Sequence, residues 1–154
     1  MRALPRTRSC FACGESNPIG MKLHIETDGH IVRAKFVPQS EHVGLKQTVH
    51  GGIVCTVLDE MMAWVCAVQT RRFTFCAELN VRFLLPVRPA EEITAVGELT
   101  ANRRGKLFEA RAELRNQQGN ALAAATGKYL PVKQTEAVDM ATDLVGDLQM
   151  LLGD

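Results

Sequence analysis

A histidine and two glycines, His50-Gly51-Gly52, precede a pair of carboxylates, Asp59-Glu60, within one apolar run from Val49 to Val68. Glycines at the start of a helix leave backbone N–H groups unhindered at the positive end of its dipole. Such a site can polarise a carbonyl and stabilise the oxyanion that forms when it is attacked. Asp and Glu are almost never buried in apolar surroundings unless they are paired or used, so two of them here call for a function. Asp59 follows Gly52 by seven residues, two helical turns, and so shares nearly one face with it; that line also passes Cys55 and Thr56. Glu60 is turned about 100° away, toward a neighbouring strand or a paired copy of the helix. The axial rise from Gly52 to Asp59 is about 10.5 Å, too far for both to serve one carbonyl within one subunit.

The elements that position these residues follow from the hydrophobic period. The run is about as long as a bilayer is thick, but its central carboxylates would cost several kcal/mol there, which favours a buried helix over a membrane span. Before it, Met21, Leu23 and Ile25 alternate with polar residues, Asp28-Gly29 marks a hairpin, and Val32, Ala34 and Phe36 alternate again. After it, Phe73, Phe75, Ala77, Leu79, Val81 and Phe83 alternate with polar residues, which predicts a long half-buried strand. Three more strands are predicted over 93–100, 107–115 and 121–130, joined by hairpin loops. The order is two strands, a long helix and four strands: an α+β domain whose sheet must curl around an apolar helix. Residues 1–20 read as an irregular arm, 21–131 as the domain, and 132–154 as a helical tail with Ala141, Leu144, Val145, Leu148, Leu151 and Leu152 at helical spacing.

Composition bounds the function. The 154 residues carry a net charge of +1, with 46% hydrophobic and 23% charged residues, so no field argues for nucleic acid or an anionic membrane. The first residues lack the apolar core of a signal peptide, and five cysteines, an odd number, suggest reduced thiols and a cytoplasmic protein. Cys10-x-x-Cys13 is half a zinc site, with no second CxxC or HxxxH to complete it; His24, His30 or a second subunit would have to do so, and no metal is expected. A small turn in the arm is the favoured reading of that segment.

The strand order with His-Gly-Gly entering the helix resembles the hotdog fold: a curved antiparallel sheet of five to six strands around one long central helix, here with a C-terminal helix added. Val49-His50-Gly51-Gly52 with Asp59 nine residues after the histidine resembles the phenylacetate-pathway (PaaI-like) acyl-CoA thioesterases. The strand Ala77 to Val87 and the arm Cys10-Phe11-Ala12-Cys13-Gly14 with Asn17-Pro18-Ile19-Gly20 match the same family, so the resemblance covers roughly residues 10–131.

That resemblance implies hydrolysis of an acyl or aryl thioester to a carboxylic acid and free coenzyme A, which is part of the substrate; no other cofactor is implied. It implies a homodimer, or a homotetramer built as a dimer of dimers, in which Asp59 of one chain faces the helix start of the other. Asp59 is then nucleophile or general base, its alternative being a carboxylate held at a subunit interface, and the Gly52 N–H is the oxyanion donor beside Gly51. His50 orients either the loop or the thioester carbonyl. Relatives often place an amide six residues before this histidine; here that position is Gly44, and Gln47 is the amide that would replace it. Cys76 stands where relatives often carry Ser or Thr, but its parity turns it away from the helix unless the strand bulges. Arg103, Arg104 and Lys106 flank Gly105 in a loop that in relatives approaches the coenzyme A phosphates. Two other readings remain: a non-catalytic acyl-CoA-binding protein, and a hydratase or dehydratase. The latter wants a catalytic histidine on the helix, and the run after Gly52 has none.

Overall fold

Alternation along the first hairpin is reproduced as alternate burial. In the computed structural model, which describes residues 1–152, β3 (His24–Thr27) and β4 (Ile31–Phe36) bury Ile25, Thr27, Val32, Ala34 and Phe36 and expose the residues between them. Positions 153 and 154 of the predicted tail, and the side chains of Met150 and Leu152, lie outside the described residues. The strand begins at His24 rather than Met21 because Lys22 takes a left-handed φ of 55°. The Met21 and Leu23 N–H groups instead bond the Phe11 and Ala12 carbonyls of the arm, at 2.8 and 2.9 Å.

Among the described residues, seven strands form one antiparallel sheet. Two-residue β1 (Arg2–Ala3) lies at one edge, followed by β3, β4, β6 (Ile93–Arg103), β7 (Leu107–Asn116), β8 (Ala121–Pro131) and β5 (Thr74–Phe83). Six of these strands are the ones the period of two predicts; β1 is supplied by the arm. The arm is therefore less irregular than its turn residues suggest, and Leu4, Ala12 and Cys13 are part of the core.

The sheet curls around helix α1 (Gly51–Thr70), which buries Val54, Val57, Leu58, Met61, Met62, Trp64, Val65, Cys66 and Ala67. Gly97 lets β6 approach closely: a Cβ there would stand 2.8 Å from the Met61 carbonyl oxygen. The helix is long and apolar enough to cross a membrane, but here it is the domain's core helix. The sheet does not cover it completely. Gly52, Cys55, Thr56, Asp59 and Ala63 recur at helical spacing and stay at least partly exposed, leaving one stripe open.

Strand β5 departs from its expected half-burial. It is the sheet edge, paired only with β8, and most of its residues are exposed, with Phe75 at 52% and Phe83 at 56%. Alternation requires an apolar face, but a single chain supplies no neighbour to bury it.

The tail is a second departure. Instead of one helix it forms α2 (Gln134–Ala141), a two-residue strand β9 (Leu144–Val145) and α3 (Gln149–Leu152). Helix α2 ends at Ala141 with Thr142 as its C-cap, β9 pairs with β2 (Arg6–Thr7) of the arm, and Gly146, at φ 117°, turns the chain between β9 and α3. Leu144 and Leu151 are buried, so part of the apolar stripe does dock on its own domain.

Candidate active site

His50 is the N-cap of α1. Its Nδ1 accepts the Gly52 N–H at 2.8 Å, which requires the neutral ring with its proton on Nε2. The loop before it is fixed by backbone bonds: His50 N–H to His42 carbonyl and Val49 N–H to Val87 carbonyl, both 2.8 Å. This arrangement changes which helix-start donor is free. The Gly52 N–H, the expected oxyanion donor, is taken by His50, whereas the Gly51 N–H has no acceptor among the described residues. Gly51 opens toward the Phe83 ring, whose edge lies 3.4 Å from where its Cβ would be.

Gly44 lies against His50. A Cβ at Gly44 would stand 3.0 Å from His50 Cδ2, so an amide side chain here would displace the ring that caps the helix. Gln47, the proposed substitute, is exposed with a left-handed φ of 58°, and its carbonyl accepts from Arg88 at 2.9 Å. No hydrogen bond of its side chain ties it to the helix start among the described residues.

Asp59 projects from the open stripe, and its Oδ1 accepts the Tyr129 hydroxyl at 2.7 Å. Burial first, and then the bond to Asp59, push the Tyr129 phenol far above its ordinary range, so it remains a neutral donor. Cys76 completes the group. Between Cys76 and Glu78 the β5 register shifts against β8, making Ala77 the extra residue of a bulge and setting Cys76 opposite Tyr129. The bulge overrides simple parity and brings Cys76 close to both Asp59 and Tyr129; burial first, and then the Asp59 charge, raise its thiol pKa. A thiol raised in this way is a poor nucleophile.

Tyr129 was not singled out by its sequence pattern, although a signal existed. It is the chain's one tyrosine, on an alternating strand, and a buried hydroxyl needs an acceptor.

Glu60, turned away from this group, faces neither a strand nor the open stripe but the arm. Its Oε1 accepts the Trp64 indole N–H at 2.8 Å, and Cys10 Sγ lies 3.8 Å from both of its oxygens. Burial, reinforced by the negative charge at Cys10, raises its pKa to about 7.

The basic loop joins β6 to β7 beside the C-terminal end of α1, where Arg72 Nη1 donates to the Gly105 carbonyl at 3.0 Å. Arg103 is engaged with Glu109 at 3.2 and 3.3 Å. Arg104 and Lys106 are exposed without a side-chain partner among the described residues, and Arg71 and Arg72 enlarge the cationic surface.

A long helix enclosed by a curled antiparallel sheet, entered through a capped His-Gly-Gly turn, is the hotdog fold. A sequence profile of the Thioesterase superfamily matches residues 46–123, just over half of the chain, and the chain belongs to that family. Among solved structures it is similar to the PaaI protein of the Escherichia coli phenylacetic acid degradation operon, with TM-score 0.67 and 19% identity over 73% of this chain and 81% of that one. A Streptococcus mutans protein bound to acetyl-CoA gives TM-score 0.66 at 14% identity, covering 71% and 88%. A thioesterase-like Streptococcus pneumoniae protein with coenzyme A gives 0.66 at 18%, covering 73% and 90%. No curated protein matches the sequence.

Proposed function

We propose that this protein is an acyl-CoA thioesterase that works as a homodimer or a dimer of dimers. The observation that carries the reading is a carboxylate, Asp59, held by a buried phenol on the open stripe of the same helix that begins with a free N–H at Gly51. The two groups are eight residues apart in one chain, about 12 Å along the axis, so one thioester cannot meet both from a single helix. The exposed edge strand β5, with Phe75, Leu79 and Phe83, supports a second copy closing over the stripe and pairing the helices. The acid of one chain then faces the helix start of the other.

In such a site the Gly51 N–H, at the positive end of α1, stabilises negative charge developing on the thioester oxygen. Tyr129 occupies Oδ1 of Asp59 and leaves Oδ2 for the reaction. Asp59 either attacks the carbonyl, expelling the thiolate of coenzyme A and forming an anhydride that water opens, or takes a proton from the attacking water. Both routes give the carboxylic acid and free coenzyme A. The coenzyme A bound to two similar structures supports the substrate class, and Arg104, Lys106, Arg71 and Arg72 are cations suited to its phosphates.

The test is thiol release from a panel of short, long and aromatic acyl-CoAs, with Asp59→Asn as the control. Release by the native protein, reduced about 100-fold or more in the variant, is expected. Binding of acyl-CoA without release across the panel, or near-normal turnover by the variant, overturns the assignment.

A further inference from the structure

The CxxC turn of the arm has acquired a third metal-ligating side chain that its sequence spacing does not show. Cys10, Cys13 and Glu60 place their two sulfurs and a carboxylate oxygen within 4.8 Å of one another. The contact from Cys10 Sγ to each Glu60 oxygen is 3.8 Å. A tetrahedral zinc ion with ordinary Zn–S and Zn–O bonds spans an S···O edge of about 3.6 Å. The ligand atoms are thus already near coordination spacing.

The surroundings are arranged as the outer partners of such ligands. Cys10 Sγ accepts the Ala12 N–H at 3.2 Å. Gly14 donates its N–H to the Cys10 carbonyl at 2.9 Å, in a turn so tight that a Cβ at Gly14 would stand 2.4 Å from that oxygen. The turn folds Cys13 back beside Cys10. Trp64 Nε1–H fixes the Glu60 carboxylate, as hydrogen bonds orient ligating carboxylates in metal sites. Ionised together, three acidic groups this close repel one another, and a divalent cation between them removes that repulsion.

We propose that Cys10, Cys13 and Glu60 bind one zinc ion, which fastens the N-terminal arm to the central helix. Two thiolates with a carboxylate are a donor set suited to zinc, and three protein ligands leave a fourth position for water. A cavity of about 460 Å³, bordered by Cys10, Glu60, Trp64, Phe73, Asp143 and Leu144, adjoins the cluster and gives water access to it. Binding replaces the protons held by the cluster, which pass to solvent. Glu60 thereby gains a role distinct from Asp59, its neighbour on a different face, and the inference rests on no part of the thioesterase reading.

The experiment takes the full chain, reduced, stripped with a chelator and dialysed, and titrates it with zinc against a chromophoric competitor. Cobalt is then used as a spectroscopic substitute. About one zinc per chain is expected, with a near-ultraviolet thiolate-to-cobalt band. Cys10→Ser removes uptake, and Glu60→Gln weakens it by at least about tenfold, since even outer-shell losses cost that much. Cys55→Ser, which alters a thiol elsewhere, keeps it. Sub-stoichiometric uptake by the reduced native chain overturns the site, as does uptake unchanged in the folded Cys10→Ser variant. A Cys10–Cys13 disulfide whose reduction restores no zinc binding overturns it as well.

Discussion

The Tyr129 hydroxyl donates to Asp59 Oδ1 across 2.7 Å, joining two residues 70 positions apart in the chain. This bond fixes the carboxylate on the open stripe of α1 and leaves its second oxygen free.

Tyr129→Phe therefore tests positioning. Removing the donor leaves a part-buried carboxylate oxygen without its partner, at a cost of about 1–3 kcal/mol in urea unfolding. Catalysis is expected to fall about 10- to 100-fold in kcat with KM little changed, because the acid loses its orientation. An unaltered kcat would separate the tyrosine from the reaction.

Gly51→Pro isolates the helix-start donor. Gly51 is the first residue of the helix, a position where proline keeps the helix intact while deleting the N–H. His50, at φ −59° and ψ 135°, already has the extended conformation that precedes proline. We expect kcat to fall about 100- to 1,000-fold with the melting temperature retained. Normal turnover would return the role to Gly52.

Leu79→Lys tests assembly. Leu79 is exposed in the middle of edge strand β5, and a lysine on an edge strand discourages pairing. Sedimentation should show a monomer, and that monomer should be inactive. An active monomer would contradict a site shared between two chains.

Arg104→Ala reports on the phosphate-binding reading of the loop. A single exposed cation contributes up to about 1 kcal/mol, so KM for acyl-CoA should rise up to about fivefold with kcat kept, and the difference should shrink in high salt. A salt-independent KM equal to that of the native protein would remove the loop from the site.

Asp143→Asn carries a pH signature. Asp143 Oδ2 accepts the Ser9 hydroxyl at 2.6 Å, and this bond above all holds its carboxyl below the ordinary 3.8. The folded state then binds fewer protons than the unfolded one, so the contribution is present above 3.8 and lost as the pH falls through the lowered value. Unfolding midpoints of native and variant proteins should differ at neutral pH and converge in strong acid. A difference that persists in acid would mean that the substitution acts through something other than the ionised carboxylate.

Local spacing determined a good deal. The apolar run bounded by His50-Gly51-Gly52 specifies α1, and the 3.6-residue period separates Asp59 from Glu60 onto different faces. The period of two specifies β3 to β8, because side chains alternate across any pleated strand. What tertiary structure decided lies between elements. Strand register and one bulge set Cys76 beside Tyr129 and Tyr129 against Asp59, whereas strict alternation turned Cys76 outward. The fold of the arm placed Cys10 and Cys13 at Glu60, some 50 residues away. A side-chain cap occupied the Gly52 N–H and left that of Gly51 free, and the β2–β9 pairing divided a tail whose spacing reads as one helix. Periodicity states which face a residue occupies; which group meets it there depends on pairing between distant segments, and only the assembled sheet and arm supply it.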